Sequence, residues 1–167
     1  MSTSPDWRTA SAGLTGGTFN TYYYNTPLIR PRQDDPQYPE KDERCRAQQR
    51  FFNALRFVPN LTFRAERFQR LPNGGQVEKG VDVMLAIDML TLAYKDRYDV
   101  AVLVSSDADY KHAIEAVKFE TGKIVELHQV AGSKAYDLIT AASVYKPITR
   151  EIVEGCLRQP PTRGASH

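Results

Sequence analysis

The sequence predicts a three-layer α/β/α sandwich on a mainly parallel sheet, and three observations predict it. Val100-Ala-Val-Leu-Val104 is an unbroken apolar, mostly β-branched run, the pattern of a strand buried on both faces. Strand-like and helix-like segments alternate through the C-terminal two thirds of the chain, as in a parallel α/β sheet. Just before the Val100 run, Val81, Met84, Leu85, Met89 and Leu92 recur at helical spacing, and Val83, Ile87 and Leu90 widen the apolar surface. That helix is therefore expected to be largely buried.

The remaining elements follow in chain order. Residues 1–17 are rich in Ser, Thr, Gly and Ala without periodicity and read as a disordered leader to a domain spanning 18–158, with a flexible tail over 159–167. Phe19 to Tyr24 has the aromatic and β-branched content of a strand. Asn25 to Glu40 carries four prolines and reads as a long loop. Ala47, Phe51, Leu55 and Val58 give one apolar stripe on a helix from about Lys41 to Val58, stopped by Pro59-Asn60. Leu61, Phe63 and Ala65 alternate with polar residues, the period of a half-exposed strand, and Pro72-Asn-Gly-Gly75 is a turn. The helix at Val81 runs to about Lys95. After the Val100 strand come a helix from Tyr110 to about Thr121 capped by Gly122, a strand from Ile124 to Leu127, a short helix from Ala135 to Ala142 and a strand from Val144 to Ile148.

Composition excludes little but constrains the class. Of the 167 residues, 41% are hydrophobic and 25% charged, as in an ordinary globular domain with room for one core. A net charge of +2 is too small to hold nucleic acid by bulk electrostatics, so such binding needs a local patch. Cys45 and Cys156 stand at neither metal nor redox spacing and read as reduced thiols of a cytoplasmic protein. No apolar run is long enough to span a bilayer, and the start lacks the pattern of a signal peptide.

The chemistry-bearing residues cluster where the Val100 strand ends. Ser105-Ser-Asp-Ala-Asp109 places two acids, Asp107 and Asp109, at the carboxyl end of a strand, where open α/β sheets bind ligands. Asp82 stands in the first turn of the buried helix, where an anion also complements the helix dipole. Each acid has a structural alternative: Asp82 as a first-turn anion, Asp107 and Asp109 as caps of the next helix. Jointly, three carboxylates at the edges of adjacent strand–helix units suit a hard cation such as Mg²⁺, which takes oxygen ligands, keeps waters and uses one or two carboxylates with substrate phosphate.

Lys79-Gly-Val-Asp82, Asp88-Met-Leu90, Tyr98-Asp-Val-Ala-Val-Leu-Val-Ser-Ser-Asp-Ala-Asp-Tyr110 and Gly122-Lys-Ile-Val-Glu126 closely resemble the NYN domain, the PIN-like (Rossmann-like), LabA-type group of metal-dependent ribonucleases. Tyr22 to Pro27 and Gln48 to Leu55 resemble the upstream strand and helix of the same group, so the likeness covers about residues 20–150. It implies RNA as partner, Mg²⁺ or Mn²⁺ as cofactor, Asp82, Asp107 and Asp109 as metal-coordinating and catalytic acids, and phosphodiester hydrolysis as activity. Lys79, Ser105, Ser106 and Lys111 would then contact substrate, with Asp88 as a supporting acid or a structural partner.

The chain departs from the family pattern in two places. The family opens with an apolar strand ending in an aspartate, and nothing before Tyr22 fits it; Ser143 also stands where relatives often have an acid. The chain thus resembles a member lacking its first strand–helix element, or a shortened one. In that case the Phe19 strand must pair with the Val100 strand or leave a gap, and either outcome favours association with another copy. It also raises an alternative function, a non-catalytic NYN domain that binds RNA or a protein.

Other residues carry weaker signals. Lys134 also lies near the expected sheet edge. Arg64, Arg67 and Arg70 interleave with Phe63 and Phe68, which suits either a nucleic-acid face or a half-buried strand. His112 faces solvent on its helix, and His128 reads as an ordinary strand-end residue.

Overall fold

The computed structural model describes residues 19–65, 80–157 and, for the backbone alone, 69–70 and 76–77. The predicted leader, the Pro72 turn, Lys79, Arg67 and Phe68 lie outside the described residues. The chain divides into two compact units, 18–91 and, from Leu92, the C-terminal remainder. Helix α2 runs across the division.

In the first unit, β1 (Thr21–Asn25) and β2 (Leu61–Ala65) form a two-stranded parallel sheet, Thr21 paired with Leu61 and Asn25 with Ala65. Helix α1 (Tyr38–Leu55) connects them, as a parallel pair requires. It begins three residues before the expected Lys41, because Pro39 is tolerated in a first turn whose amides lack intrahelical partners. Its inward stripe is not the expected Ala47–Phe51–Leu55–Val58. Tyr38, Asp42, Cys45, Gln48, Phe52 and Leu55 turn inward, whereas Phe51 and Val58 are exposed.

The reason is the proline-rich loop, which lies on α1 and binds that stripe's polar residues. Arg30 and Arg46 pair with the buried Asp42 at 2.8 and 2.7 Å. Gln48 accepts from the Leu28 amide (2.7 Å) and donates to the Thr26 carbonyl (3.3 Å), and the Cys45 thiol donates to the Ile29 carbonyl (3.5 Å). Below them Phe52 and Phe63 pack with ring centroids 4.4 Å apart. A small antiparallel ladder, β3 (Gln69–Arg70) with β4 (Gln76–Val77), follows.

Helix α2 (Val81–Tyr94) buries Val81, Met89 and Ala93. It is not largely buried, however: Val83, Ile87 and Tyr94 lie on a second line and are 57–62% exposed.

The second unit is a three-stranded parallel sheet of order β5–β6–β7, from Val100–Val104, Ile124–Val130 and Val144–Ile148. A single 3₁₀ turn (Ala108–Tyr110) leads from β5 into α3 (Lys111–Thr121), and α4 (Tyr136–Ala141) joins β6 to β7. Gly122 ends α3 at φ 68°, the left-handed cap expected from the sequence. The core lies on one face of this sheet: Leu103, Val125 and Leu127 pack with Tyr110, Ile114, Val117 and Leu138, all 5% exposed or less. The strand β5 is thus buried on one face rather than two; on the other, Val102 and Val104 are 38% and 65% exposed. Strand β6 runs three residues beyond the expected Leu127, and α5 (Arg150–Cys156) was not expected.

Among the described residues β1 pairs only with β2, and β5 only with β6.

Candidate metal and phosphate site at the end of β5

The two acids predicted at the end of β5 stand together in the second unit, and local hydrogen bonds explain how. The chain leaves β5 at Ser105, whose amide still donates to the His128 carbonyl of β6 (3.2 Å). The Ser105 hydroxyl then accepts from the Asp107 amide (3.1 Å), and Asp107 Oδ1 accepts from the Asp109 amide (3.0 Å). Asp107, with extended φ and ψ of −90° and 118°, is therefore the N-cap of the turn that opens α3. Asp107, Asp109 and Ser106 are exposed, Ser105 half-buried, and Lys111 begins α3 beside them in sequence.

This arrangement meets the needs of a hard cation on donor chemistry. A carboxylate offers about four lone-pair positions, so a single amide bond to Asp107 leaves oxygen ligation available. Two carboxylates at one strand end match the one or two that Mg²⁺ takes from protein when phosphate and water complete its shell. Among the described residues, no group of three or more His, Cys, Asp or Glu side chains is arranged to hold a metal ion.

Asp82 and Asp88 belong to the first unit. Asp82 is exposed in the first turn of α2, as expected from its sequence position. Asp88, two turns on, is a partner to the parallel sheet. Its Oδ2 accepts from the Tyr24 hydroxyl (3.0 Å) of β1 and pairs with Arg64 Nε (3.4 Å) of β2. Burial and the bond to Asp88 push the Tyr24 phenol well above its ordinary value. Arg64 thus points to a carboxylate of its own unit.

One cluster escaped the sequence reading. On the face of β6 opposite the core, His128 Nε2 lies 2.6 Å from Glu126 Oε1, and Lys146 of β7 reaches the same oxygen at 3.0 Å. Burial alone would raise the Glu126 carboxyl, but its bonds from His128 and Lys146 outweigh burial and hold it below the usual carboxylate value. The signal was present as the two-residue spacing of Glu126 and His128, which puts both on one face of a strand. His112, by contrast, is a surface residue 3.3 Å from Glu115. Ser143 clips β7 to β6: its amide donates to the Val125 carbonyl (2.9 Å), and its hydroxyl accepts from the Val125 amide (3.2 Å).

Parallel strands with connecting helices and acids beyond a strand's carboxyl end are those of an α/β protein. The model of one family, the NYN domain, matches residues 13–149, and the chain belongs to that family. A protein of unknown function from Vibrio parahaemolyticus has a similar crystal structure, with a TM-score of 0.54 at 21% identity. The likeness covers 74% of this chain and 65% of that one, so this chain spans a little under two thirds of it. A comparison with functionally curated proteins gave no match. No helix among the described residues is long and apolar enough to cross a membrane.

Proposed function

We propose that this NYN domain cleaves RNA phosphodiester bonds with a Mg²⁺ or Mn²⁺ ion held by Asp107 and Asp109. The observation that carries this reading is the exposed Asp107–Asp109 pair at the end of β5, fixed by Ser105 and by its own amide bond. A divalent ion bound there would polarise a phosphoryl oxygen and make a water more acidic. The Ser105–Asp107 bond and the Asp107 cap hold the turn's backbone and one oxygen of Asp107 in place. Ser106 and Lys111 flank the pair in sequence and supply a hydroxyl and a cation suited to a phosphate. Asp88, anchored by Tyr24 and Arg64, positions α2 rather than ligating.

A second reading, a non-catalytic domain that binds RNA or a protein, is favoured by one specific fact: Asp107 already has a structural task as a helix cap. The two separate in one assay. Purified protein is incubated with single-stranded and structured RNA in Mg²⁺, in Mn²⁺ and in chelator, beside Asp107→Asn and Asp109→Asn. The catalytic reading expects metal-dependent cleavage lost in both variants. RNA binding without cleavage in any metal supports the second reading, and cleavage unaffected by both substitutions overturns the site.

A further inference from the structure

The loop after β6 stands at the same edge of its sheet as the acid turn, and its path is fixed. As parallel neighbours, β5 and β6 both end at the carboxyl edge, β5 in the turn with Asp107 and Asp109, β6 in the loop 131–135. Gly132, at φ 87°, lets that loop turn back, with the Ser133 amide donating to the Val130 carbonyl (3.1 Å). Gln129, 1% exposed at the end of β6, donates from Nε2 to the Ser133 hydroxyl (2.8 Å). Its Oε1 is buried and has no hydrogen-bond partner among the described residues. A leucine would fill that position without leaving a buried acceptor unpaired, so what the amide contributes is its hold on the loop.

The held loop leads into α4 and presents two side chains that the fold does not use. Lys134 and Tyr136 are exposed, Tyr136 by 69%, and among the described residues neither side chain has an ion pair, hydrogen bond or ring contact. Asp137, the next residue, is turned about 100° around the helix from Tyr136. Helix α4 packs on the 3₁₀ turn that Asp107 caps, and Tyr110 of the turn and Leu138 of α4 are both buried. The far ends of α3 and α4 are tied as well, Lys118 donating to the Ala141 carbonyl. The two helices therefore run side by side from the carboxyl edge, and packed helices lie about 8–10 Å apart. Tyr136 thus stands within about one helix spacing of the acid turn.

We propose that Tyr136 stacks on an unpaired base of the RNA and Lys134 holds a phosphate of the same strand, so that the acid pair receives single-stranded rather than duplex RNA. The inference rests on RNA as the substrate of the acid site. An aromatic ring is a stacking surface for any base, whereas the bases of a duplex have both faces covered by their neighbours. Tyr136 accordingly selects strandedness and not sequence. Lys134 supplies a point charge to the backbone, which positions the strand without reading it.

The test is fluorescence anisotropy of the full chain with a labelled single-stranded RNA and with the same RNA as a duplex, in chelator so that nothing is cleaved. Cleavage of both RNAs in Mn²⁺ is measured beside it. The single strand is expected to bind tighter and to be cleaved faster. Tyr136→Ala should weaken single-strand binding about tenfold and leave duplex binding unchanged, while Tyr136→Phe keeps the wild-type affinity. Lys134→Ala should make the slope of log affinity against log salt shallower by about 0.7 for the single strand. Circular dichroism and Mn²⁺ binding should be the same in all three variants, whose altered side chains are exposed. Equal affinity of wild type and Tyr136→Ala for the single strand overturns the proposal. So does equal binding of single strand and duplex by the wild type, or no RNA binding at all. Metal-dependent cleavage that persists in the first two cases leaves the acid site standing. Single-strand binding weakened by Tyr136→Ala, without cleavage in any metal, upholds the stacking and refutes the catalytic reading alone.

Discussion

Replacing Asp107 by asparagine and by alanine separates the two tasks that one carboxylate performs. The side chain caps the turn into α3 through a 3.0 Å bond from the Asp109 amide, and it carries a negative charge at the end of β5. Asparagine caps about as well as aspartate, whereas loss of a cap to alanine costs about 0.5–2 kcal/mol. The residue is exposed and the capped turn is a single 3₁₀ turn, so water replaces part of the lost bond, and about 0.5–1 kcal/mol is the expected cost. For a chain of this size that lowers the melting temperature by about 1–4 °C. Asp107→Asn should melt within a degree or so of the wild type, yet bind Mn²⁺ more weakly and fail to cleave RNA. Thermal denaturation beside Mn²⁺ titration reads both effects. Asp107→Asn as destabilising as Asp107→Ala would refute the separation, because charge rather than the hydrogen bond would then be holding the turn.

Other expectations rest on the same geometry. Gly122→Ala places a Cβ at φ 68° in open space, so only the left-handed backbone penalty applies, about 1–2 kcal/mol, and Gly122→Asn should recover part of it. Leu127→Ala, at a fully buried position on the central strand β6, should cost about 2–5 kcal/mol in urea denaturation and broaden the core's NMR signals. Acid stability follows from three depressed aspartates. The bond from Arg30 holds Asp42 below its ordinary 3.8, that from Lys41 does the same for Asp35, and that from Lys123 for Asp96. Folded pKa values below the unfolded ones stabilise the chain above about pH 3.8, and this support is lost as the pH falls below that value. Asp42→Asn should therefore lower stability at neutral pH and flatten the fall below pH 4; an unchanged acid limb would contradict the Asp42 anchor.

What was legible in the sequence had a strong local cause. Gly122 announced a left-handed cap, the Val144 strand was bounded to the residue, and Ser105 to Asp109 marked a strand end because an apolar run stops there at polar residues. What misled was burial inferred from hydrophobicity. Val102, Val104, Val83 and Ile87 are as apolar as their buried neighbours, and periodicity alone cannot say whether a second layer exists to cover them. The inward stripe of α1 failed for the opposite reason. Asp42 and Gln48 are polar, and their burial depends on Arg30, Leu28 and Thr26 of a loop whose path no local pattern reveals. Asp88 belongs with them, since Tyr24 and Arg64 reach it from 64 and 24 positions away along the chain. The acid pair itself was readable as a motif; that Asp107 also caps a turn needed the backbone angles.

The spacing of the parallel pairs sets an order of assembly. Thr21 must find Leu61 across 40 residues, whereas Val100 meets Ile124 across 24 and Glu126 meets Val144 across 18. Closing a shorter loop loses less chain entropy, and closer contacts form sooner. The β5–β6–β7 sheet is therefore expected to form first, and amides of β6 should gain protection from hydrogen exchange before those of β1. The end of β5 that carries Asp107 and Asp109 should then be in place while the first sheet is still open chain, so the acid turn is set before the β1–β2 pair closes.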